Sequence, residues 1–176
     1  MAAAPGDARR ELTRLRAELD HAMRGTPWHG NAFTTNLHGV TAADAHAHPI
    51  AGAHSIWELV LHVAAWTREG ARRLRGAAPE EPAVGDWPPA PPTAREADWV
   101  AARSELAAAH DDVLAAIDAL DAARLDDPPV QARDPSVTTA VKHRVLVHGL
   151  AQHHAYHGGQ VALLRRALGP RATASA

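Results

Sequence analysis

A chain of 176 residues with 18 Lys and Arg against 20 Asp and Glu, and so a net charge of −2, is long enough to bury a core as one domain without covalent staples. The balanced charge, with no basic block and no acidic tail, argues against a nucleic-acid partner. The absence of cysteine excludes disulfides, thiolate metal sites and a protein-borne thiol nucleophile. Thirteen histidines stand out against this background, because such enrichment in a short chain raises the weight of metal binding.

The opening stretch MAAAPGDARRELTRLRAELD has no continuous apolar run of the signal-peptide kind. No window approaches the roughly 18 apolar residues of a membrane span. A soluble, cytoplasmic protein without a membrane partner is therefore expected. Abundant Ala and few β-branched runs favour helix over strand.

Leu12, Leu15, Leu19 and Met23 recur at spacings of three and four, which predicts an amphipathic first helix over Ala8 to Arg24. Gly25, Pro27 and Gly30 break the pattern around Trp28 and His29, and a short helical piece is expected over Asn31 to Leu37. Thr41 to His54 shows little periodicity and reads as a crossover with one helical turn near Ala42 to Ala45. Ser55 followed by Glu58 is a capping box that opens a second long helix. Its buried face is Ile56, Leu59, Val60, Val63, Ala64 and Trp66, and its charges from Thr67 to Arg75 are expected to face solvent before Gly76.

Ala77 to Pro92 carries six prolines and reads as a stiff, irregular connection. Thr93 and Glu96 form a second apparent capping box, ahead of a long third helix marked by Trp99, Leu106, Val113, Leu114, Ile117 and Leu120. Asp121 to Pro135 is another polar crossover. The last helix is expected to start with Asp134 as N-cap and Pro135 at the first helical position. From there it runs through Val137, Val141, Val145 and Val147 to Leu168, with Gly169 and Pro170 as the stop. Gly149, Gly158 and Gly159 lie inside it and either permit close helix contact or mark a bend. Four long helices with two long Pro-containing connections describe an all-α four-helix bundle spanning residues 1–176 as a single domain.

The chemistry concentrates in GLAQHHAYHGGQVALLRR, Gly149 to Arg166. His153 and His157 leave one helix face about one turn apart, roughly 6 Å along the axis, which suits a divalent metal, and Gln160 continues the same stripe. A pair at this spacing also arises by chance in a chain so rich in histidine, so a third ligand from another helix is needed. His62 is the best candidate, as the one histidine in the middle of an otherwise apolar helix face, although a lone core histidine is often merely hydrogen-bonded. Glu58, one turn earlier, could orient that imidazole or act as general base, but its capping role comes first. His154 points about 100° away from His153 and is a fallback ligand. His110 and His143 read as solvent-face residues. His46, His48 and His54 lie in the crossover.

Two segments, SIWELVLHVAAW at Ser55 to Trp66 and GLAQHHAYHGGQVALLRR, resemble the DinB/YfiT-like metalloproteins and, within them, the uncharacterised DinB-domain proteins of bacteria. The second is similar to that family's HxxYHxGQ signature through His153, Tyr156, His157, Gly159 and Gln160, with His154 where relatives often carry Asp. The resemblance implies a DinB-type four-helix bundle, a divalent metal, Zn²⁺ or Ni²⁺, on His62, His153 and His157, and a homodimer. It also implies activities of two kinds: thiol-dependent transferases or isomerases using bacillithiol, mycothiol or glutathione, and metal-dependent hydrolases.

Three neutral imidazoles leave an ion its full charge and open positions, the pattern of a catalytic site. Such an ion lowers the pKa of water from 15.7 toward ~7 or holds a thiol as thiolate. A low-molecular-weight thiol from outside the chain suits the lack of cysteine. The expected function is thus a metal-dependent thiol S-transferase or isomerase acting on a small-molecule substrate. Its alternatives are a metal-dependent hydrolase and a non-catalytic metal-binding or small-ligand stress protein. Glu58, Tyr156 and Gln160 are the candidate catalytic residues. Trp28, His29 and Trp57 are the candidate pocket-lining, cofactor-binding ones.

Overall fold

The computed structural model describes residues 5–128 and 141–169, and within them every regular element is helical. Four long helices make the body: α1 Pro5–Arg24, α4 Ile56–Leu74, α5 Glu96–Asp118 and α6 His143–Leu168. Two short ones, α2 Phe33–Leu37 and α3 Ala42–His46, lie in the first connection, and a single 3₁₀ turn, Ala122–Arg124, follows α5. Helix α4 packs against both α5 and α6, and α1 packs against α6 and α5. None of these helices is long and apolar enough to cross a membrane.

Helix α1 begins at Pro5, three residues before the expected start, because the fixed φ of proline suits a first turn. Its Leu12, Leu15, Leu19 and Met23 are buried as their spacing requires. Ser55 and Glu58 form the expected capping box on α4, with the Glu58 amide donating to Ser55 Oγ at 3.2 Å and the Ser55 amide donating to Glu58 Oε2 at 2.7 Å. Thr41 and Asp44 form another on α3.

Three expectations are corrected. Thr93 and Glu96 do not cap α5: its N-cap is Arg95, without a side-chain cap bond. The Glu96 carboxylate instead accepts the Ala42 amide at 2.9 Å, serving the first turn of α3 across space. Helix α6 starts at His143, and Val141 precedes it as an exposed non-helical residue. Its first amides need no side-chain cap, because His143 N–H donates to Asp127 O and Arg144 N–H to Leu125 O, at 3.0 and 3.1 Å. Asp134, Pro135 and Val137 lie outside the described residues. The second half of α4 does not run out into solvent, since Thr67, Glu69, Gly70, Ala71 and Leu74 are all buried. A Cβ on Gly70 would stand 2.6 Å from Leu150 Cδ1, so the glycine is what lets α6 approach this closely. The buried Glu69 carboxylate is matched by Arg72, Arg73 and the Glu80 amide.

The core has two apolar sections. One surrounds Trp57 and Trp99, whose rings lie 5.2 Å apart, and takes in Phe33, Leu37, Leu106 and Val161. Such a pair is worth about 0.5–1.5 kcal/mol beyond the area it buries. The other gathers Leu12, Leu15, Leu19, Val113, Ile117 and Leu150. Between them along the helices come Thr67, His110 and His154, all fully buried. This internal polar layer decides which histidines are structural and which remain free.

Candidate metal centre

The Ser55 cap starts α4 so that His62 falls two turns in, on the face that meets α6. It is 5% exposed, beside Val63 and Leu59 in the core. On α6, His153 and His157 are one turn apart on the side facing α4. The structure brings the three together: one ring nitrogen from each lies within 4.8 Å of the other two. The His62 and His153 Nε2 atoms are 3.0 Å apart, and the His157 ring stands 4.5 Å from that of His153 and 4.8 Å from that of His62.

The donor set fits a divalent cation. His62 Nδ1–H donates to the Asp86 carbonyl at 2.6 Å, and His157 Nδ1–H donates to Gln160 Oε1 at 2.6 Å. In each ring the proton is thereby held on Nδ1 and Nε2 is left as a lone pair. His153 Nδ1 is buried without a partner. Its Nε2 points into the cluster beside that of His62, a crowding of nitrogens that a shared cation would satisfy. Burial keeps all three uncharged, as a ligand must be. Desolvation pushes His153 down to about 3, aided by its two neighbours, and desolvation likewise holds His62 and His157 below the usual imidazole range.

Residues missed from the sequence complete the surroundings. The Trp87 indole stacks on His62 at 3.8 Å and on His54 at 3.6 Å, with interplanar angles of 9° and 4°. The Asp86 carboxylate accepts the Trp66 indole N–H at 2.7 Å. Both residues come from the Pro-rich connection, where no periodicity tells which way a side chain points. The one available signal is a tryptophan wedged between Asp and a Pro-Pro pair.

The other candidate site residues are placed as follows. Gln160 contacts His157 directly, and the exposed Tyr156 sets its ring edge-on at 4.9 Å to the same imidazole. Glu58 is engaged by the cap and lies 3.2 Å from His48 Nε2 and 3.6 Å from His54 Nδ1. Although burial raises its pKa, the Ser55 hydrogen bonds hold the carboxyl below the usual range. Trp57 is buried against Trp99 and the edge of His46. Trp28 and His29 border a surface groove between α1 and α6 with His21 and Gln152, and the Trp28 side chain is fully exposed. The structure therefore does not bring Trp28, His29 or Trp57 to the histidine cluster.

His154, His110 and His143 differ from what their positions suggest. His154 is not in the cluster: its Nε2–H donates to Thr67 Oγ1 at 2.9 Å, and that hydroxyl donates to Val63 O at 2.6 Å. His110 and His143 are not on a solvent face but fully buried, with His110 donating to Asp20 at 2.9 Å and His143 to the Arg124 carbonyl at 2.9 Å. The signal was present, since His110 follows Leu106 by four and precedes Val113 by three, and His143 precedes Val147 by four.

An all-helical protein with three converging neutral imidazoles supplied by two helices has a site suited to a divalent metal. Residues 11–161 match the DinB superfamily, and the chain belongs to that superfamily. The match covers all three histidines of the cluster. No curated protein and no solved structure matches the chain.

Proposed function

We propose that this protein binds a divalent metal, Zn²⁺ or Ni²⁺, on His62, His153 and His157, and uses it to activate a low-molecular-weight thiol for transfer to, or isomerisation of, a small electrophilic substrate. The observation that carries the reading is the convergence of three uncharged imidazoles, two of them buried with their outer nitrogens already committed. A metal bound there supplies Lewis acidity toward an incoming thiol or water. The protein's part is to keep the imidazoles neutral by burial, to aim Nε2 of His62 and His157 inward, and to hold Gln160 and Tyr156 beside His157. No cysteine exists in the chain to serve as the thiol. Zinc- or nickel-loaded protein, incubated with bacillithiol, mycothiol or glutathione and a panel of electrophiles, is expected to form adducts only when metal and thiol are both present. No metal-dependent adduct across that panel sinks the thiol reading, and turnover of a small ester or amide without thiol favours the hydrolase. Stoichiometric metal binding with neither activity assigns a binding role instead.

The same reading includes a homodimer. The outward face of α6 carries Val145, Gly149, Gln152, Tyr156, Gly159 and Leu163 at alternating spacings of four and three, and Val145, Tyr156 and Leu163 are exposed. A Cβ on Gly149 or Gly159 would meet nothing within 4 Å, so neither glycine is demanded by packing within the chain. The order is near-symmetric about His154, and antiparallel pairing would set Val145 against Leu163 of the partner subunit. Sedimentation of the parent and of Leu163→Glu tests this: a dimer that the substitution converts to monomer is expected, and a monomeric parent refutes it.

A further inference from the structure

We propose that Asp86 and Trp87 are positioning residues of the metal centre: the Asp86 carbonyl fixes the proton of His62 on Nδ1, and the Trp87 indole fixes the plane of its ring. This rests on the reading that the three histidines hold a divalent metal. The connection between α4 and α5 is irregular, yet around these two residues it is tied down from several sides. Pro82 to Gly85 closes a turn, with the Gly85 amide donating to Pro82 O at 2.7 Å and Gly85 at a φ of +86° that L side chains rarely adopt. The Asp86 amide then donates to Glu81 Oε1 at 3.0 Å, and its carboxylate is held by the Trp66 indole, one turn after His62 on α4. So anchored, the Asp86 carbonyl sits 2.6 Å from His62 Nδ1.

Trp87 follows at once and fills the gap between His62 and His54 as the middle of a three-ring stack. It also stands edge-on to His157 at 5.9 Å, and so borders two of the three ligands. An imidazole with two bonds to rotate about is defined by two constraints, a hydrogen bond along its Nδ1 direction and a flat surface against its face. Asp86 and Trp87 supply one each. His157 has only the first, from Gln160, and His153 has neither. His62 is thus the pre-set ligand of the three, and it is set by a segment with no helical register of its own.

The test uses Zn²⁺ alone as probe, competed against a chromophoric chelator, with Trp87→Ala, Trp87→Leu, Trp87→Phe and the control Val84→Ala in the full chain. Outer partners of ligating histidines typically change metal affinity by about 10–100-fold. Trp87→Ala and Trp87→Leu are expected to weaken zinc binding by that order, while Trp87→Phe, which keeps a flat face, and Val84→Ala stay within about threefold. Leu keeps the apolar bulk, so it carries the test if the Ala variant fails to fold. A second readout is taken on metal-free protein: the ¹⁵N shifts of His62 should report a proton on Nδ1 in the parent and a mixture of tautomers in the Leu variant, where a ring without a flat surface against it turns away from the Asp86 carbonyl. Unchanged affinity together with an unchanged tautomer in the Leu variant overturns the proposal. If the parent binds no zinc, the metal reading fails, and the tautomer measurement alone decides the positioning role.

Discussion

Two sets of histidines lie among these helices, and they differ in what their nitrogens face. His62, His153 and His157 turn nitrogens toward one another, within 4.8 Å. His110, His143 and His154 each spend one nitrogen on a fixed acceptor from another element, Asp20, Arg124 O and Thr67 Oγ1, and leave the other buried without a partner. Greater depth does not mark the converging set, since the second is the more completely buried. Nor does the direction of the pKa shifts mark it, because desolvation lowers His110 and His154 as it lowers His62, His153 and His157. The separating property is convergence: free lone pairs directed at a common point make a metal site, and single hydrogen bonds to separate acceptors pin helices together.

The largest expected effect tests the first set. His62→Ala and His157→Ala should each drop bound metal from about one ion per chain to nearly none by elemental analysis, because two imidazoles do not hold a labile divalent ion as three do. Helicity should survive in the metal-free state. Parent-like metal content in either variant would put the site elsewhere.

The second set should behave in the opposite way. His154→Ala removes the bond to Thr67 and leaves a cavity in the layer between the two apolar clusters, which should cost about 2–4 kcal/mol in urea denaturation. Metal per folded chain should match the parent, since His154 lies on the α6 face turned from His62. If this variant loses metal as completely as His62→Ala, the division into two sets is wrong.

Lowering the pH sharpens the comparison with a smaller effect. Imidazoles whose folded pKa is depressed are neutral in the folded chain and take up protons on unfolding. Stability of the metal-free protein is therefore complete above the unfolded value of about 6.5 and falls as the pH is lowered toward about 3, the folded value for His153. His110 and His154 contribute to that slope as the clustered three do, but only at the cluster would protons compete with a metal for the imidazoles. Added Zn²⁺ should raise the urea midpoint at pH 7.5, and this gain should fade only as the pH drops below the usual imidazole range toward about 3, where the buried cluster takes up protons. A zinc effect that stayed constant over that whole range would mean that histidines are not the ligands.

How far the sequence could be read follows from the same distinction. Helices α1, α4 and α5 are legible because apolar residues recur at three and four, and the three clustered histidines because two share a helix face while the third interrupts an apolar one. The burial of His110 and His143 shows in their spacing from Leu106 and Val147, but their partners come from other elements. Glu96 shows the limit of local patterns: its offset from Thr93 matches a capping box, yet its carboxylate is used by Ala42 fifty-four residues away. Asp86 and Trp87 were out of reach because an irregular connection has no period from which a direction can be inferred.

The smallest expected effect belongs to a histidine outside both sets. His148 Nδ1 approaches Glu18 Oε1 at 2.9 Å, and its Nε2 accepts from the Gln152 amide at 3.1 Å, but its side chain is 46% exposed and that of Glu18 35%. Water and salt screen a pair so placed, and holding both side chains in one geometry costs entropy. His148→Ala should change stability by about 0.5 kcal/mol or less and leave zinc affinity unaltered. His148 lies only five residues before His153 on the same helix, so this variant asks whether proximity in sequence matters at all. A loss of zinc affinity comparable to that of His62→Ala would make convergence an insufficient criterion and require a wider ligand network along α6.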